Sequence, residues 1–506
     1  MHKTTLIEQF LTICDTHGDA IALQTYTEEL KYSELKLRVS IVSDYLVAIG
    51  VKPGDRVVLV IDNSIDYVIA FYAIWKLCGI VVALNAQSKF HEIEKLINQC
   101  QSKCILVKKL DKKNKNLLNS SDIKVIELND KSITDIIIWK DKFCNVTFDD
   151  SYVANEPTLA QIIYTSGTTG NPKGVLLSHG NLMCNTRDII KYLKLSTTDS
   201  IINALPFYYS YGNSVLHTHL SVGAKIILTG SLAFPQQIVN DMRKYKPSGF
   251  SGVPSTYSLL LTHSDWKDNP PPFRYITQAG GPMGKKLTEQ LCKALNPDTQ
   301  LYIMYGQTEA SARISWLPPQ SLTSKAGSAG IAVDHVRVEI RDEKGNKLPA
   351  NEKGEVYVSG KSIMQGYWEN PDATQQVLNN GWLKTGDLGY LDADGYIFLE
   401  GRNSDMIKVG AHRIHPQELE EVINKLNFIS ECAVIGIDDE ILGQKLKVFI
   451  VGDESKKNLL EFKKHCNEYL PAHKIPREVE WINELPKTAS GKIKRYKLKG
   501  QLEIIK

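Results

Sequence analysis

The sequence offers little net charge to a polyanion. Its 60 Lys and Arg residues face 57 Asp and Glu residues, so only +3 is spread over 506 positions. Over a chain of this length that surplus is too small to argue for nucleic acid as a partner. Cysteine is sparse and scattered. The nine, at 14, 78, 100, 104, 144, 184, 292, 432 and 466, form no C-x-x-C pair, and no histidine group sits at zinc spacing. Neither a zinc site nor a disulfide frame is expected, and the pattern suits a reducing cytosol. The N-terminus lacks the apolar core of a signal peptide, because Glu8 and Asp15 interrupt it. A clean membrane-length run is missing as well. The nearest, residues 67–86, contains Lys76 and then Gly79 ahead of Ile80-Val-Val, so it predicts a buried helix followed by a buried strand. Tandem repeats and low-complexity tracts are absent.

What is present is an ordinary enzyme-like composition. Hydrophobic residues at 42% and charged residues at 23% exclude a wholly disordered chain, and the length allows about three compact units. Short apolar strands at 57–61, 105–108, 123–127 and 161–164 alternate with helical or loop segments, which favours a parallel sheet covered on both faces. Residues 108–142 are rich in Lys, Asn, Ser and Asp with mixed charge, the texture of a surface excursion. A second α/β pattern follows 200, with strands at 201–205, 225–228 and 250–253 and a helix at 235–245. From about 325, strands at 336–341, 355–360, 382–385 and 396–400 recur between tight turns, predicting a small antiparallel barrel or sheet. Beyond 402 the pattern is α+β, with helices at 416–426 and 459–470 and strands at 431–437 and 447–451. The expected fold class is therefore α/β: a large domain, 1–401, with parts at about 1–200, 201–325 and 326–401, and a small α+β domain, 402–506.

Several stretches carry chemistry. Residues 164–175 read Tyr-Thr-Ser-Gly-Thr-Thr-Gly-Asn-Pro-Lys-Gly-Val, directly after an apolar strand. Glycines let backbone N–H groups close on an anion, the hydroxyls of Thr165, Ser166, Thr168 and Thr169 add neutral donors, and Lys173 adds charge. The order Lys173-Gly174 is not that of a Walker A loop. Tyr305-Gly-Gln-Thr-Glu-Ala-Ser311 follows the strand-like Leu301-Tyr-Ile-Met, so Thr308 and Glu309 would stand at a carboxyl end, where open α/β sheets bind ligands. Glu309 is a ligand type suited to Mg²⁺, although a single surface carboxylate reads the same way. In Gly381-Trp-Leu-Lys-Thr-Gly-Asp-Leu-Gly389, Asp387 sits on a turn where a carboxylate can accept two hydroxyls of a ribose or pair with an arginine. Ala279-Gly-Gly-Pro-Met283 is either a strand-to-helix turn or a ligand wall, and Lys492, in Pro486-Lys-Thr-Ala-Ser-Gly-Lys-Ile-Lys494, lies in a basic tail.

Taken together and in order, these stretches resemble the signatures of the adenylate-forming superfamily, closest in pattern to AMP-forming acyl-CoA ligases. The resemblance runs from about residue 20 to the C-terminus. It implies an AMP-forming carboxylic acid:CoA ligase using ATP, Mg²⁺ and CoA, or a stand-alone enzyme loading the phosphopantetheine of a separate carrier protein. By that likeness the catalytic set is Lys492, Thr308 and Glu309, with Glu309 on the metal. The nucleotide site is Thr165, Ser166, Gly167, Thr168, Thr169, Gly170, Lys173, Gly280, Gly281, Pro282, Tyr305, Gly306, Asp387 and Arg402. A movable C-terminal lid would turn on Ser404 and Asp405, where Ser404 departs from the more usual Asp or Lys, and a thiol tunnel would involve Lys408, Gly410 and Arg413.

The likeness also maps an acid pocket onto Phe207, Tyr208, Tyr209, Ser210, Gly252, Tyr257, Gln278, Met304 and Ala310. Its tyrosines and phenylalanine predict an apolar lining with hydroxyl handles. No Asp stands at 207–210 to receive a substrate ammonium, which disfavours an α-amino acid. Arg313 reads as a surface residue, or as the partner of a second carboxylate. A small-molecule carboxylic acid is the expected substrate, a cytoplasmic enzyme is expected, and monomer and homodimer both stay open.

Overall fold

A computed structural model describes residues 5–110, 123–128, 133, 153–165, 172–229, 232–402, 405–409, 412–439, 443–452, 459–488, 493–495 and 497–499. The surface excursion expected at 108–142 lies mostly outside the described residues. Among the described residues the strands form four sheets.

The first sheet orders its strands 366–367, 173–178, 159–165, 80–83, 56–60, 104–107 and 124–127. Its interior pairs are parallel, and the hairpin of Leu159–Thr165 with Lys173–Ser178 is antiparallel. The second sheet runs 331–332, 315–317, 300–305, 275–278, 249–252, 200–203, 225–227, 21–24 and 29–31. The two N-terminal strands thus pair into the second sheet rather than the first, and Ile21–Gln24 joins it in parallel with Lys225–Ile227. The third sheet is antiparallel, and Ile397–Arg402 pairs with the long strand Trp382–Leu391. The fourth is built from residues 407–481, with Ile429–Asp439 against Gly443–Gly452 at its centre. The Lys286 ammonium reaches across to the small unit, donating to the Asn424 carbonyl at 3.3 Å.

The membrane-like run resolves as predicted. Ser64 caps the helix Ile65–Lys76, its hydroxyl accepting the Tyr67 N–H at 3.2 Å. Every residue from Tyr67 to Trp75 is buried, so the helix is apolar all round because it lies inside the protein. Cys78 adopts a left-handed φ of 58°, and a Cβ on Gly79 would stand 2.9 Å from Ile74 Cγ2. The chain can therefore turn directly into the buried strand Ile80–Ala83. Among the described residues no helix is long and apolar enough to cross a membrane. The eight described cysteines are free, and Cys144 lies outside the described residues.

Polar groups enter this core through histidine. His217 stacks on Trp75 with centroids 4.7 Å apart, and its Nδ1 bonds the Tyr72 hydroxyl at 3.0 Å. His219 bonds the Tyr275 hydroxyl through Nε2 at 2.7 Å. His179 packs edge-on against Trp75 at 5.3 Å. Burial disfavours the imidazolium in all three, lowering His179 and His219 to about 4 and His217 to about 3. In the unfolded chain these groups take up protons near pH 6.5, whereas in the folded chain they do so only near pH 3–4. Each therefore stabilises the fold above pH 6.5, and that contribution shrinks as pH falls below it. We expect a loss on the order of 2 kcal/mol per histidine by pH 5. Urea unfolding at pH 7 and pH 5 measures it, and an unchanged midpoint would contradict the assignment.

Candidate active site

The parallel strands Ser200–Asn203, Gly249–Gly252, Tyr275–Gln278 and Gln300–Tyr305 are in register, Gly252 opposite Gln278 and Gln278 opposite Ile303. Their following loops therefore emerge along one edge, the place where open α/β sheets bind ligands. The loop after Tyr305 is the most constrained. A Cβ on Gly306 would lie 1.9 Å from the Ala312 carbonyl oxygen, so only glycine permits the chain to double back there. Ser311 and Ala312 take φ of 55° and 89°, the second unusual for a residue with a side chain. The turn is closed by Ala312 N–H to Gln307 O at 3.2 Å and Ile314 N–H to Tyr305 O at 2.9 Å. It displays Thr308 and Glu309 on a single 3₁₀ turn, Thr308–Ala310.

Each displayed group meets another predicted residue or a new one. The Thr308 hydroxyl donates to Ser210 Oγ at 3.2 Å. Glu309 Oε1 accepts from the Tyr367 hydroxyl at 2.9 Å, and Met364 N–H donates to the Glu309 carbonyl at 2.9 Å. The Lys173 ammonium stands over the Tyr367 ring, 5.0 Å from its centroid. Tyr367 thus links Glu309 of the second sheet to Lys173 of the first. Burial, and then the negative charge of Glu309, push its hydroxyl pKa up, so it stays a donor. Sequence reasoning did not find Tyr367. The only local signal is the pair Tyr367-Trp368 beside Gly366, which by itself marks no site.

A second cluster joins sheets two and three. The Tyr305 hydroxyl donates to Asp387 Oδ2 at 2.5 Å, and Arg402 Nε donates to Asp387 Oδ1 at 3.0 Å. Asp387 and Arg402 are cross-strand partners. The register against Gly354–Gly360 explains how Asp387 is aimed: Tyr357 faces Lys384 and Glu355 faces Leu388, so four steps on one strand match two on the other. Gly386, at φ 75°, takes the left-handed turn within that bulge. Burial and the neighbouring Asp387 raise Tyr305 well above the usual phenol range, and Asp387 also raises Arg402.

Other predicted residues fall as follows. Thr165 pairs with Lys173 across the hairpin. Ser166, Gly167, Thr168, Thr169 and Gly170 lie outside the described residues, as do Ser404, Gly410 and Lys492. Gly280 takes φ 87°, Gln278 Nε2 donates to the Gly281 carbonyl at 2.8 Å, and Pro282 is exposed. Lys408 is exposed on Ile407–Val409, and Arg413 lies on the neighbouring strand His412–Ile414. Asp405 pairs with Arg495 at 3.7 Å, and Arg495 also holds Glu420 at 2.6 Å.

The expected acid-pocket residues separate. Phe207 is fully buried against Tyr67, with centroids 5.5 Å apart, and Tyr257 packs on Phe250 while its hydroxyl donates to the Thr277 carbonyl at 2.7 Å. Tyr208 and Tyr209 pack together at 4.6 Å. Gly252 lets Tyr257 approach, because a Cβ there would meet that ring at 3.0 Å. Met304 Sδ accepts from the Tyr192 hydroxyl at 3.0 Å, and Ala310 is fully buried. Ser210 borders walls of both kinds, apolar and polar. A narrow cavity beside it is lined by Ile163, Leu177 and Leu182 together with Asn185, Thr186, Asn213, Ser214, His217 and Ser311. The surface reading of Arg313 is corrected: its residue is 2% exposed. The periodic sequence signal around 310–313 is too short to tell an inward arginine from an outward one.

Away from this edge, Cys184, Asp188 and His335 bring ligand atoms within 4.8 Å of one another. Asp188 is already engaged by His335, through Nδ1 at 2.6 Å and the backbone N–H at 3.3 Å.

Comparison with known proteins gives a consistent result. The AMP-binding enzyme family matches residues 10–368, and the AMP-binding enzyme C-terminal domain matches residues 418–492. A long-chain-fatty-acid–CoA ligase of Yersinia pestis is 30% identical, covering 98% of this chain and 94% of its own. A 2-succinylbenzoate–CoA ligase of Bacillus cytotoxicus is also 30% identical, covering 96% of each chain. The o-succinylbenzoate CoA synthetase of Bacillus subtilis, solved with its acyl-adenylate intermediate, superposes with a TM-score of 0.86 at 26% identity over 98% of both chains. The same enzyme solved with ATP and magnesium ion gives 0.85, covering 98% of this chain and 99% of its own.

The donor set around Glu309 is hard oxygen, which fits a hard divalent cation. Tyr367→Phe keeps the ring under Lys173 and removes only the hydroxyl on Glu309. It should weaken Mg·ATP binding about 10- to 100-fold, read by calorimetry, with little change in unfolding temperature. Unchanged affinity would remove Tyr367 from the site.

Proposed function

The chain belongs to the AMP-binding enzyme family, and we propose that it is an AMP-forming carboxylic acid–CoA ligase whose chemistry is carried by the residues gathered at this edge. In the first half-reaction a carboxylate oxygen bonds to the α-phosphorus of ATP, and the bond from that phosphorus to pyrophosphate breaks. In the second, the deprotonated CoA sulfur attacks the acyl carbon of acyl-AMP, and AMP leaves with the electron pair of the broken C–O bond. The protein supplies position and charge rather than a covalent nucleophile.

The observation that supports this reading is the convergence of Lys173, Tyr305, Thr308, Glu309, Asp387 and Arg402, from three different sheets, through the contacts of Tyr367 and Asp387. Asp387 accepts the ribose hydroxyls. Arg402 is held by Asp387 through Nε alone, which leaves its terminal nitrogens for ribose or phosphate. Tyr305 is fixed at its hydroxyl, so its ring is ready to lie against adenine, bordered by Gly280, Gly281 and Pro282. Thr308 exchanges its bond to Ser210 for the α-phosphate. Thr165, Ser166, Gly167, Thr168, Thr169, Gly170 and Lys173 cradle the outer phosphates. Glu309 would hold Mg²⁺, which when bound neutralises phosphate charge. Lys492 brings a cation between two mutually repelling anions, the carboxylate and the α-phosphate.

CoA is the proposed thiol, ahead of a carrier-protein phosphopantetheine. The small unit after about residue 402 is proposed to turn as a lid at Ser404 and Asp405, presenting Lys408, Gly410 and Arg413 to the thiol. The described cysteines are free and mostly buried, which fits a cytoplasmic enzyme. Relatives named for a long-chain fatty acid and for 2-succinylbenzoate are equally identical to this chain, so the acid must be read from the pocket.

Pyrophosphate release over a panel of acids, with CoA present or omitted, tests the reading. Thioester is expected with CoA alone, and a strict requirement for a carrier protein would replace CoA as acceptor. Lys492→Ala should slow acyl-AMP formation roughly 10²–10³-fold. Full-rate adenylation by that variant would remove the role given to Lys492. Gly306→Ala must push the Ala312 carbonyl aside and so displace Thr308 and Glu309. A loss of about 10²-fold in pyrophosphate release is expected, and wild-type turnover would show that the turn is not needed as built.

A further inference from the structure

Among the described residues, Arg313 is a buried cation held by neutral groups. Its Nε donates to the Tyr192 hydroxyl at 3.1 Å, Nη1 to the Ala312 carbonyl at 3.4 Å and Nη2 to Ser214 Oγ at 3.4 Å. Its guanidinium lies over the Tyr211 ring, 4.8 Å from the centroid. Among the described residues no carboxylate comes within 4.0 Å of it. The nearby acid on the same helix as Tyr192, Asp188, is taken by His335. A guanidinium carries five N–H donors, and here two of its three bonds are long. A buried charge in this state is costly, and proteins normally pair it.

The position of Arg313 gives that unmet charge a use. It is five residues beyond Thr308, on the far side of the same constrained turn. Its neighbours Tyr211 and Ser214 belong to the buried helix Ser210–Leu220, whose first residue receives the Thr308 hydroxyl. Tyr192, which receives Arg313 Nε, also donates to Met304 at the end of the strand that leads into the turn. Around the same helix, Asn213 Nδ2, Asn185 Oδ1 and His217 Nε2 are buried without partners. Ser210, Asn213, Ser214 and His217 border one cavity of about 10 Å³, on the order of a single water. The space beside Ser210 thus combines apolar walls from Ile163, Leu177 and Leu182 with these unpaired polar atoms, and Arg313, bonded to Ser214 on its border, is a buried cation that no described carboxylate pairs.

Building on the ligase reading above, we propose that Arg313 determines specificity by binding a second carboxylate of the substrate, so that the enzyme activates dicarboxylic acids. One carboxylate is adenylated beside Thr308. The other accepts from the terminal nitrogens of Arg313 in a planar, charge-assisted pair. The pair meets the cation's unmet demand, and an acid lacking the second group leaves it unmet. Discrimination of that kind exceeds what a methylene in an apolar pocket can give.

The test is pyrophosphate release with acids matched in pairs: malonate against acetate, adipate against hexanoate, and 3-(2-carboxyphenyl)propanoate against 3-phenylpropanoate. The wild-type enzyme should favour a diacid over its partner by roughly 10²-fold or more in kcat/KM. Arg313→Gln should remove that preference, mainly through KM, and leave the monoacid rate within a few-fold. Arg313→Lys, which keeps the charge but not the fork, should retain part of it. A wild-type preference for monoacids across the panel overturns the proposal while leaving the ligase reading intact, and it requires no variant to fold. Equal losses on both members of a pair in Arg313→Gln also overturn it. Silence with every acid overturns the ligase reading and this inference with it.

Discussion

The close approach of Gly306 to the Ala312 carbonyl governs the active edge. Without a side chain at 306 the chain can reverse within a few residues of the strand Gln300–Tyr305. The reversal sends Thr308 toward Ser210, Glu309 toward Tyr367 and Arg313 into the interior, three directions from one turn. The left-handed Ser311 and Ala312 carry the conformational cost. That cost is offset by hydrogen bonds outside the turn, Ser311 Oγ to the Ser362 carbonyl at 2.7 Å and Met364 N–H to the Glu309 carbonyl at 2.9 Å. The segment after the strand Gly354–Gly360 thus ties the loop at two points, and a fixed display is what orientation-based catalysis requires.

The helix Ser210–Leu220 shows how a polar segment can be buried. From Tyr211 to Leu220 every residue is buried, although Asn213, Ser214, His217, Thr218 and His219 are among them. Most are satisfied within the helix or against a neighbour: Ser214 Oγ bonds the Tyr211 carbonyl at 2.7 Å, and Thr218 Oγ1 the Ser214 carbonyl at 2.8 Å. The groups left over face the cavity beside Ser210. Buried polar atoms are normally paired, so an unpaired cluster next to a reactive turn marks a surface shaped for something other than packing.

The large features were legible from the sequence because they rest on local signals. Lys76 and Gly79 split the apolar run into helix and strand, and the spacing of strands after 325 foretold an antiparallel sheet. Tyr305, Asp387 and Arg402 were legible as members of ordered motifs, and they meet in space. Long-range pairing was not legible. Nothing local in residues 21–31 says that they extend the second sheet, or in Gly366-Tyr367 that they edge the first. Tyr367 and the inward turn of Arg313 escaped for the same reason: each depends on partners far away in the chain, and neither lies on a periodic face long enough to reveal its direction.

The joint between the large and small units is bounded on both sides by ion pairs. Arg402 is moored to Asp387, on the third sheet. Asp405 is moored to Arg495, which also grips Glu420 on the helix Pro416–Ile423. Arg402 and Asp405 are three peptide units apart in sequence, so the chain passes into the small unit between one ion pair on the third sheet and another on its own C-terminal segment.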